Sequence, residues 1–257
     1  MGDTKIIFWD VYGTLVAAER GDLDSLIRRE AELRTAFERT VKNFSLAIAP
    51  ALLHNLFLRG IQAEREARRT EGLVHPEVRI DEIWFKLLEK IQANVSPSIN
   101  FAREVALFFE RQANPKQFQP HAYEVLTILQ DRRLRQGIIS NAQFYTPIEL
   151  STLLRHESNG AVCTYKSVFD PRLVFFSFEL GVAKPDAAAF RPAIEALTRE
   201  NVMPDECVFI GDSLTDDIAP AQHLGFKTVL YAPTTVTDAS VKADLVIHNL
   251  AQLLEWL

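Results

Sequence analysis

Three short apolar runs in this chain each stop on a small polar or acidic residue, and that recurrence limits the fold more than any other feature. Ile6-Ile7-Phe8-Trp9 stops at Asp10, Gly137-Ile138-Ile139 at Ser140-Asn141, and Cys207-Val208-Phe209-Ile210 at Gly211-Asp212. Such runs are too brief for stable helices and lack the polar alternation of a sheet with one wet face, so they read as strands buried on both sides. Val174-Phe175-Phe176, Thr228-Val229-Leu230 and Leu245-Val246-Ile247 add further strands. Helical stretches separate them: one opened by Pro120 with Val125, Leu126 and Leu129, one over Ala187–Leu197, and one over Ile218–Leu224 stopped by Gly225. This alternation predicts an α/β fold with a mainly parallel sheet covered by helices.

From Ala17 to Asn114 the pattern changes, and charged residues interrupt apolar ones at helical spacing. Ile83, Leu87, Leu88 and Ile91 share one face, while Glu82, Lys86, Glu89 and Lys90 occupy the rest. Leu46–Leu58 reads as a more apolar helix broken near Gly60, and Phe101–Phe109 as another ahead of Pro115. Four to five helices without a strand, placed after a single first strand, predict an inserted all-helical unit over 17–114 within a core built from 1–16 and 115–257. Trp84 is expected in the interior of that unit, and Phe44, Phe57 and Phe85 at its interface with the core. Arg20, Arg28, Arg29, Arg34, Arg39, Arg59, Arg65, Arg68 and Arg69 offer anion contacts, although most such positions are solvated.

Composition narrows the function. The 257 residues are 47% hydrophobic and 24% charged, which suits a packed globular protein. With 28 Lys plus Arg against 34 Asp plus Glu the net charge is -6 and the arginines are dispersed, so no basic face for nucleic acid is expected. Met1-Gly2-Asp3 leads into the first strand without the basic region or apolar length of a signal peptide or membrane span. Cys163 and Cys207 are too few for a disulfide framework and are expected in apolar surroundings as small hydrophobes. The expectation is a cytoplasmic protein with no nucleic-acid or membrane partner; a monomer and a homodimer are equally compatible with the composition.

Ligands of open parallel sheets gather at the carboxyl ends of the strands. Asp10, rooted on a buried strand, is there either a nucleophilic or metal-bound carboxylate or the cap of a following helix. Ser140-Asn141 either binds anionic oxygens or makes a plain polar turn. Lys184, between Gly181 and Pro185, either aims its ammonium at a phosphate or carboxylate or is a solvated lysine. Gly211-Asp212-Ser213-Leu214-Thr215-Asp216-Asp217 crowds three carboxylates beyond a strand, an arrangement that a cation would relieve; magnesium suits the oxygen set.

Taken in order, Phe8-Trp9-Asp10-Val11-Tyr12-Gly13-Thr14-Leu15, Ile139-Ser140-Asn141, Gly181-Val182-Ala183-Lys184-Pro185-Asp186 and Val208-Phe209-Ile210-Gly211-Asp212-Ser213-Leu214 resemble the four motifs of the haloacid dehalogenase-like hydrolase superfamily. The resemblance implies a Rossmann-like core with the helices as a cap inserted after the first motif. It implies magnesium-dependent hydrolysis of a small phosphate ester, with Asp10 as the nucleophile that forms an aspartyl-phosphate. Asp10, Asp212 and the Tyr12 carbonyl would bind Mg2+, and Thr14, Ser140, Asn141 and Lys184 would contact the phosphoryl group. Asp216 and Asp217 compete for the remaining acidic role beside the metal: Asp217-Ile218 matches the longer form of the motif, Asp216 the shorter.

Tyr12 departs from this pattern. Phosphatases of the superfamily usually carry a second aspartate there as acid and base, and a phenol with a pKa of about 10 is a poor base near neutrality. The Asp-x-Tyr-Gly-Thr-Leu arrangement is similar to the metal-independent L-2-haloacid dehalogenase branch, whereas Gly211-Asp212 has the phosphatase form. A third reading is a module that binds phosphate ligands or partners without turnover.

Overall fold

A computed structural model describes residues 4–18, 30–91, 97–233 and 242–257, so Arg20, Arg28 and Arg29 lie outside the described residues. Six parallel strands form the main sheet: β1 (Ile6–Trp9), β4 (Arg135–Ser140), β5 (Val174–Phe176), β6 (Cys207–Gly211), β7 (Lys227–Tyr231) and β8 (Leu245–Ile247). They lie in the order β5-β4-β1-β6-β7-β8, which puts β1 at the centre between β4 and β6. Trp9 is level with Ile138 on one side and Ile210 on the other. The three polar strand ends found in the sequence are therefore neighbours in space.

All four β1 side chains are fully buried because successive residues feed opposite layers. Ile7 and Trp9 pack with Val125, Leu126 and Leu129 of α5 (Ala122–Asp131) and with Leu150 and Leu154 of α6 (Thr146–Glu157). Ile6 and Phe8 face the other way, against Ala193, Ala196 and Leu197 of α8 (Arg191–Arg199) and against Phe226. Between β5 and α8 stands the short α7 (Ser177–Leu180); α9 (Ala219–His223) follows β6, and α10 (Leu253–Trp256) ends the chain. Fully burying each large apolar side chain contributes roughly 1.5–3 kcal/mol, which is why an uninterrupted apolar run is stable only here, with helices on both faces.

Four helices form the inserted cap among the described residues: α1 (Glu30–Asn43), α2 (Pro50–Thr70), α3 (Ile80–Ile91) and α4 (Ile99–Ala113). Their interior is an aromatic cluster in which the Phe37 and Phe109 rings lie 4.4 Å apart and Phe57 lies 5.4 Å from Trp84. Trp84 is fully buried there, as its place beside the apolar stripe predicts. Two expectations fail. The helix does not break at Gly60: α2 runs on to Thr70, because burial of Leu53, Phe57 and Ile61 outweighs the roughly 1 kcal/mol helix cost of a glycine. Phe44 packs inside the cap against Phe101 and Phe108, while Phe57 reaches the cavity between cap and core and Phe144 and Tyr145 of the loop after β4 join the cap's apolar cluster.

The sequence also hid a small antiparallel ribbon, β2 (Val16–Ala17) with β3 (Gln117–Phe118), pairing the chain where it leaves the core with the chain where it returns. Two-residue strands are too short to show a period. Cys207 is buried, and burial pushes its thiol up to about 12, whereas Cys163 is exposed and not in the apolar setting expected of it. Among the described residues no helix is long and apolar enough to cross a membrane.

Candidate active site

Asp10 follows β1, and its backbone N–H donates to the carbonyl of Ile210 at 2.9 Å, tying it to β6. Gly13 then turns back at φ +93°; a Cβ there would lie 2.4 Å from Asp212 Oδ2. Only glycine lets the first loop and the β6 loop approach this closely. One oxygen each from Asp10, Asp212 and Asp217 fall within 4.8 Å of one another.

Lys184 compensates this charge. Its Nζ donates to Asp10 Oδ1 at 2.7 Å, to Asp217 Oδ1 at 2.5 Å and to the Ile139 carbonyl at 3.1 Å. Asn141 aligns the lysine: its Oδ1 accepts from Lys184 N at 2.7 Å, and its Nδ2 donates to the Lys184 carbonyl at 3.0 Å. Ser140 Oγ donates to Asp10 Oδ1 at 3.1 Å. Asp10 Oδ1 is thus fixed by two donors, while Oδ2 has no hydrogen-bond partner among the described residues.

Burial raises the Asp10 carboxyl to about 7; Lys184 pulls against that shift, and Asp217 and Asp212 add to it. A divalent cation at the same oxygens would favour the ionised form. For Lys184 burial opposes the charge, but Asp10 and Asp217 outweigh it and hold the ammonium above its ordinary range.

The loop after β6 separates the two competing acids. A wide π turn over Leu214–Ile218, capped by Ser213 Oγ accepting from Asp216 N at 3.1 Å, points consecutive residues in different directions. Asp217 turns inward, 2% exposed, and its Oδ2 accepts from Ser213 N at 3.0 Å. A Cβ at Gly211 would meet Asp217 Cβ at 2.4 Å, so this glycine too is required by the close approach. Asp216 also lines the cavity but bonds to Thr215 and stays outside the three-acid cluster.

Tyr12 and Thr14 are placed differently from the acids. The Tyr12 hydroxyl shares a 2.8 Å hydrogen bond with Thr146 Oγ1, and burial together with the charge of Glu110 pushes the phenol well above its ordinary value. The Thr14 hydroxyl is fully buried, has no partner among the described residues and does not line the cavity.

Residues 4–225 match the family model for haloacid dehalogenase-like hydrolases. The chain belongs to that family. A glyceraldehyde 3-phosphate phosphatase of Pyrococcus furiosus is 40% identical over 93 residues, 35% of this chain and 37% of that protein. A ribulose-1,5-bisphosphate 5-phosphatase of Halopiger xanaduensis is 34% identical over 125 residues, 49% of this chain and 46% of that protein. The chain thus spans less than half the length of these curated relatives. A 2-haloacid dehalogenase structure from Pseudomonas syringae superposes over 98% of this chain and 96% of its own with a TM-score of 0.62 at 24% identity, a likeness of fold.

In this family member a cavity of about 300 Å³ opens from Asp10, Lys184 and Asp212 toward the cap. Several of its wall residues escaped the sequence reading. Glu77 and Gln143 carry no motif, and only folding brings them together: Gln143 Nε2 donates to Glu77 Oε1 at 3.0 Å and to the Val78 carbonyl at 2.8 Å. Glu110 pairs with the buried Lys116 at 2.6 Å. Among the described cap arginines Arg65 lines the cavity, whereas Arg34 bonds Glu38, Arg39 bonds Gln112 and Arg68 pairs with Glu64.

Proposed function

We propose that this hydrolase cleaves small phosphomonoesters with magnesium, through an aspartyl-phosphate on Asp10. The observation that carries the reading is the convergence of Asp10, Asp212 and Asp217, the first and last of them paired with the Lys184 ammonium, at the floor of a cavity roofed by the cap. Three hard carboxylate ligands so close together fit a divalent cation with oxygen preference. Asp10, Asp212 and the Tyr12 carbonyl would hold Mg2+, which when bound offsets the negative charge of the phosphoryl group.

Each residue then has a task. Lys184 and Ser140 hold Asp10 Oδ1, which aims Oδ2 at phosphorus. Oδ2 bonds to phosphorus as the ester P–O bond breaks, and the leaving oxygen departs with its electron pair as an alkoxide that takes a proton from solvent water. Water then attacks phosphorus and breaks its bond to Oδ2, releasing inorganic phosphate and a proton to solvent and restoring the Asp10 carboxylate. Asn141 keeps Lys184 in line, and Asp217 supports the ammonium from the other side. The Tyr12 phenol, bonded to Thr146, gives no proton to the leaving oxygen in this scheme, so esters with good leaving groups are the better substrates. We assign 17–114 to the cap and 1–16 with 115–257 to the catalytic core.

The three-acid cluster weighs against dehalogenation of a carboxylate substrate, which it would repel. Phosphate release from a panel that includes p-nitrophenyl phosphate, with and without Mg2+, tests the proposal. Metal-dependent release that Asp10→Asn abolishes is expected; the absence of metal-dependent release from every ester would overturn it.

A further inference from the structure

The cavity has two unlike ends. Its floor is acidic and carries Lys184, but the cap side is built from Leu33 of α1, Phe57 and Ile61 of α2, Val78, and Ala106 and Phe109 of α4. All six are at most 3% exposed and belong to the cap's own apolar cluster.

Polar residues do reach the same chamber, and several of them already spend hydrogen-bonding groups on one another. Glu77 Oε1 accepts from Val78 N at 3.0 Å and from Gln143 Nε2 at 3.0 Å, while Oε2 accepts from Ser177 Oγ at 2.6 Å. The Gln143 amide is engaged at both ends, since its oxygen accepts from Ile80 N at 3.1 Å and its nitrogen donates to Glu77 and Val78. Glu110 Oε1 accepts from Lys116 and Asn114, and the Tyr12 hydroxyl is committed to Thr146. Arg65 stands one turn beyond Ile61 and offsets the charge on Glu77. A sugar hydroxyl brought against the six apolar wall residues would lose its water and find no side-chain partner among them, a loss that a methylene does not suffer.

We infer that the substrate of this site is a phosphate monoester of a compact apolar alcohol, whose hydrocarbon part occupies the cap side of the chamber. The inference rests on the proposed phosphate-ester chemistry for its phosphate end and on the cap wall for its specificity. It sets this chain apart from relatives whose names specify hydroxylated sugar phosphates.

Binding and turnover test the two layers separately. Dissociation constants for ethyl-, butyl- and hexylphosphonate and for 2,3-dihydroxypropylphosphonate are measured by calorimetry with Mg2+ present, and phosphate release is followed for the matching phosphate esters. Each added methylene should tighten phosphonate binding about fourfold until the chamber is filled, and butylphosphonate should bind at least about tenfold tighter than the diol. Ile61→Ser should flatten the chain-length series and Ile61→Leu should preserve it; if Ile61→Ser fails to fold, the wild-type series decides alone. A flat series, a diol that binds as tightly as butylphosphonate, or no phosphonate binding at all would overturn the inference. A graded series without phosphate release from any ester would support the apolar chamber and overturn the hydrolytic reading instead.

Discussion

Replacing Lys184 by Met tests whether the acid cluster is held together by charge. The lysine side chain is 2% exposed and lies 2.7 Å from Asp10 and 2.5 Å from Asp217, whose side chains are 7% and 3% exposed. Methionine fills similar volume but leaves two buried carboxylates without their shared cation. Breaking a buried ion pair from one side costs about 3–5 kcal/mol, because the orphaned charge remains desolvated. For a chain of this size that corresponds to a fall in melting temperature of roughly 6–20 °C. Thermal unfolding in the presence of a chelator should show it. The triple variant Lys184→Met, Asp10→Asn, Asp217→Asn, which removes the orphaned charges, should recover most of the loss. A single variant within about 1 kcal/mol of wild type, or a triple variant less stable than the single one, would refute the argument from charge compensation.

Three further outcomes follow from the same geometry. Gly13→Ala should destabilise by roughly 1–3 kcal/mol and weaken Mg2+ binding in calorimetry, because the new Cβ would sit 2.4 Å from Asp212 Oδ2 at φ +93°. Burial raises the Glu77 carboxyl above its ordinary 4.5, with the bonds from Ser177 and Val78 N and the charge of Arg65 opposing. Its contribution to stability is fully present below the unfolded value and is lost as pH rises through the folded one. Glu77→Gln should therefore remove a downward slope in a plot of melting temperature against pH, and an unchanged slope would contradict this. Tyr12→Phe should leave phosphate release within a few-fold of wild type, since the hydroxyl is occupied by Thr146. Tyr12→Asp, by contrast, should raise release from esters with poor leaving groups by about tenfold or more, measured as kcat.

The sheet was legible because burial on both faces writes itself as uninterrupted apolar runs, and the strand ends were legible because Asp10, Ser140 and Asp212 break those runs abruptly. Their meeting was not. Nothing in the order of residues says that β1 lies between β4 and β6; that follows from crossovers whose handedness and packing involve the whole chain. The Asp217-Ile218 pair already pointed to Asp217 over Asp216 through the motif, but that Asp217 alone of the two joins the buried cluster depends on the π turn, a departure of one residue from helical spacing that no periodicity argument resolves. The cap wall stayed hidden for another reason. Phe57 was legible as a cap residue facing the core, but Ile61 and Phe109 look like ordinary interior residues of amphipathic helices, and they are; their second role as cavity wall arises because the cap interior is continuous with the chamber.

That continuity links stability to specificity. A side chain that both packs the aromatic cluster and lines the chamber cannot be exchanged for a polar one without loosening the cap, so the cap can move toward hydroxylated ligands only at the expense of its own core. The floor has the opposite constraint: its acids and lysine are individually unfavourable to bury and tolerable only as a set. Changes on the floor should therefore couple strongly to one another, with pairwise coupling energies of about 0.5–3 kcal/mol, whereas changes on the cap wall should track lost apolar volume. Double-mutant cycles pairing Asp10→Asn with Lys184→Met, and Asp10→Asn with Ile61→Val, distinguish the two regimes. Strong coupling in the first and near-additivity in the second is the expected result; equal coupling in both would mean that cap wall and floor unfold and respond as one unit.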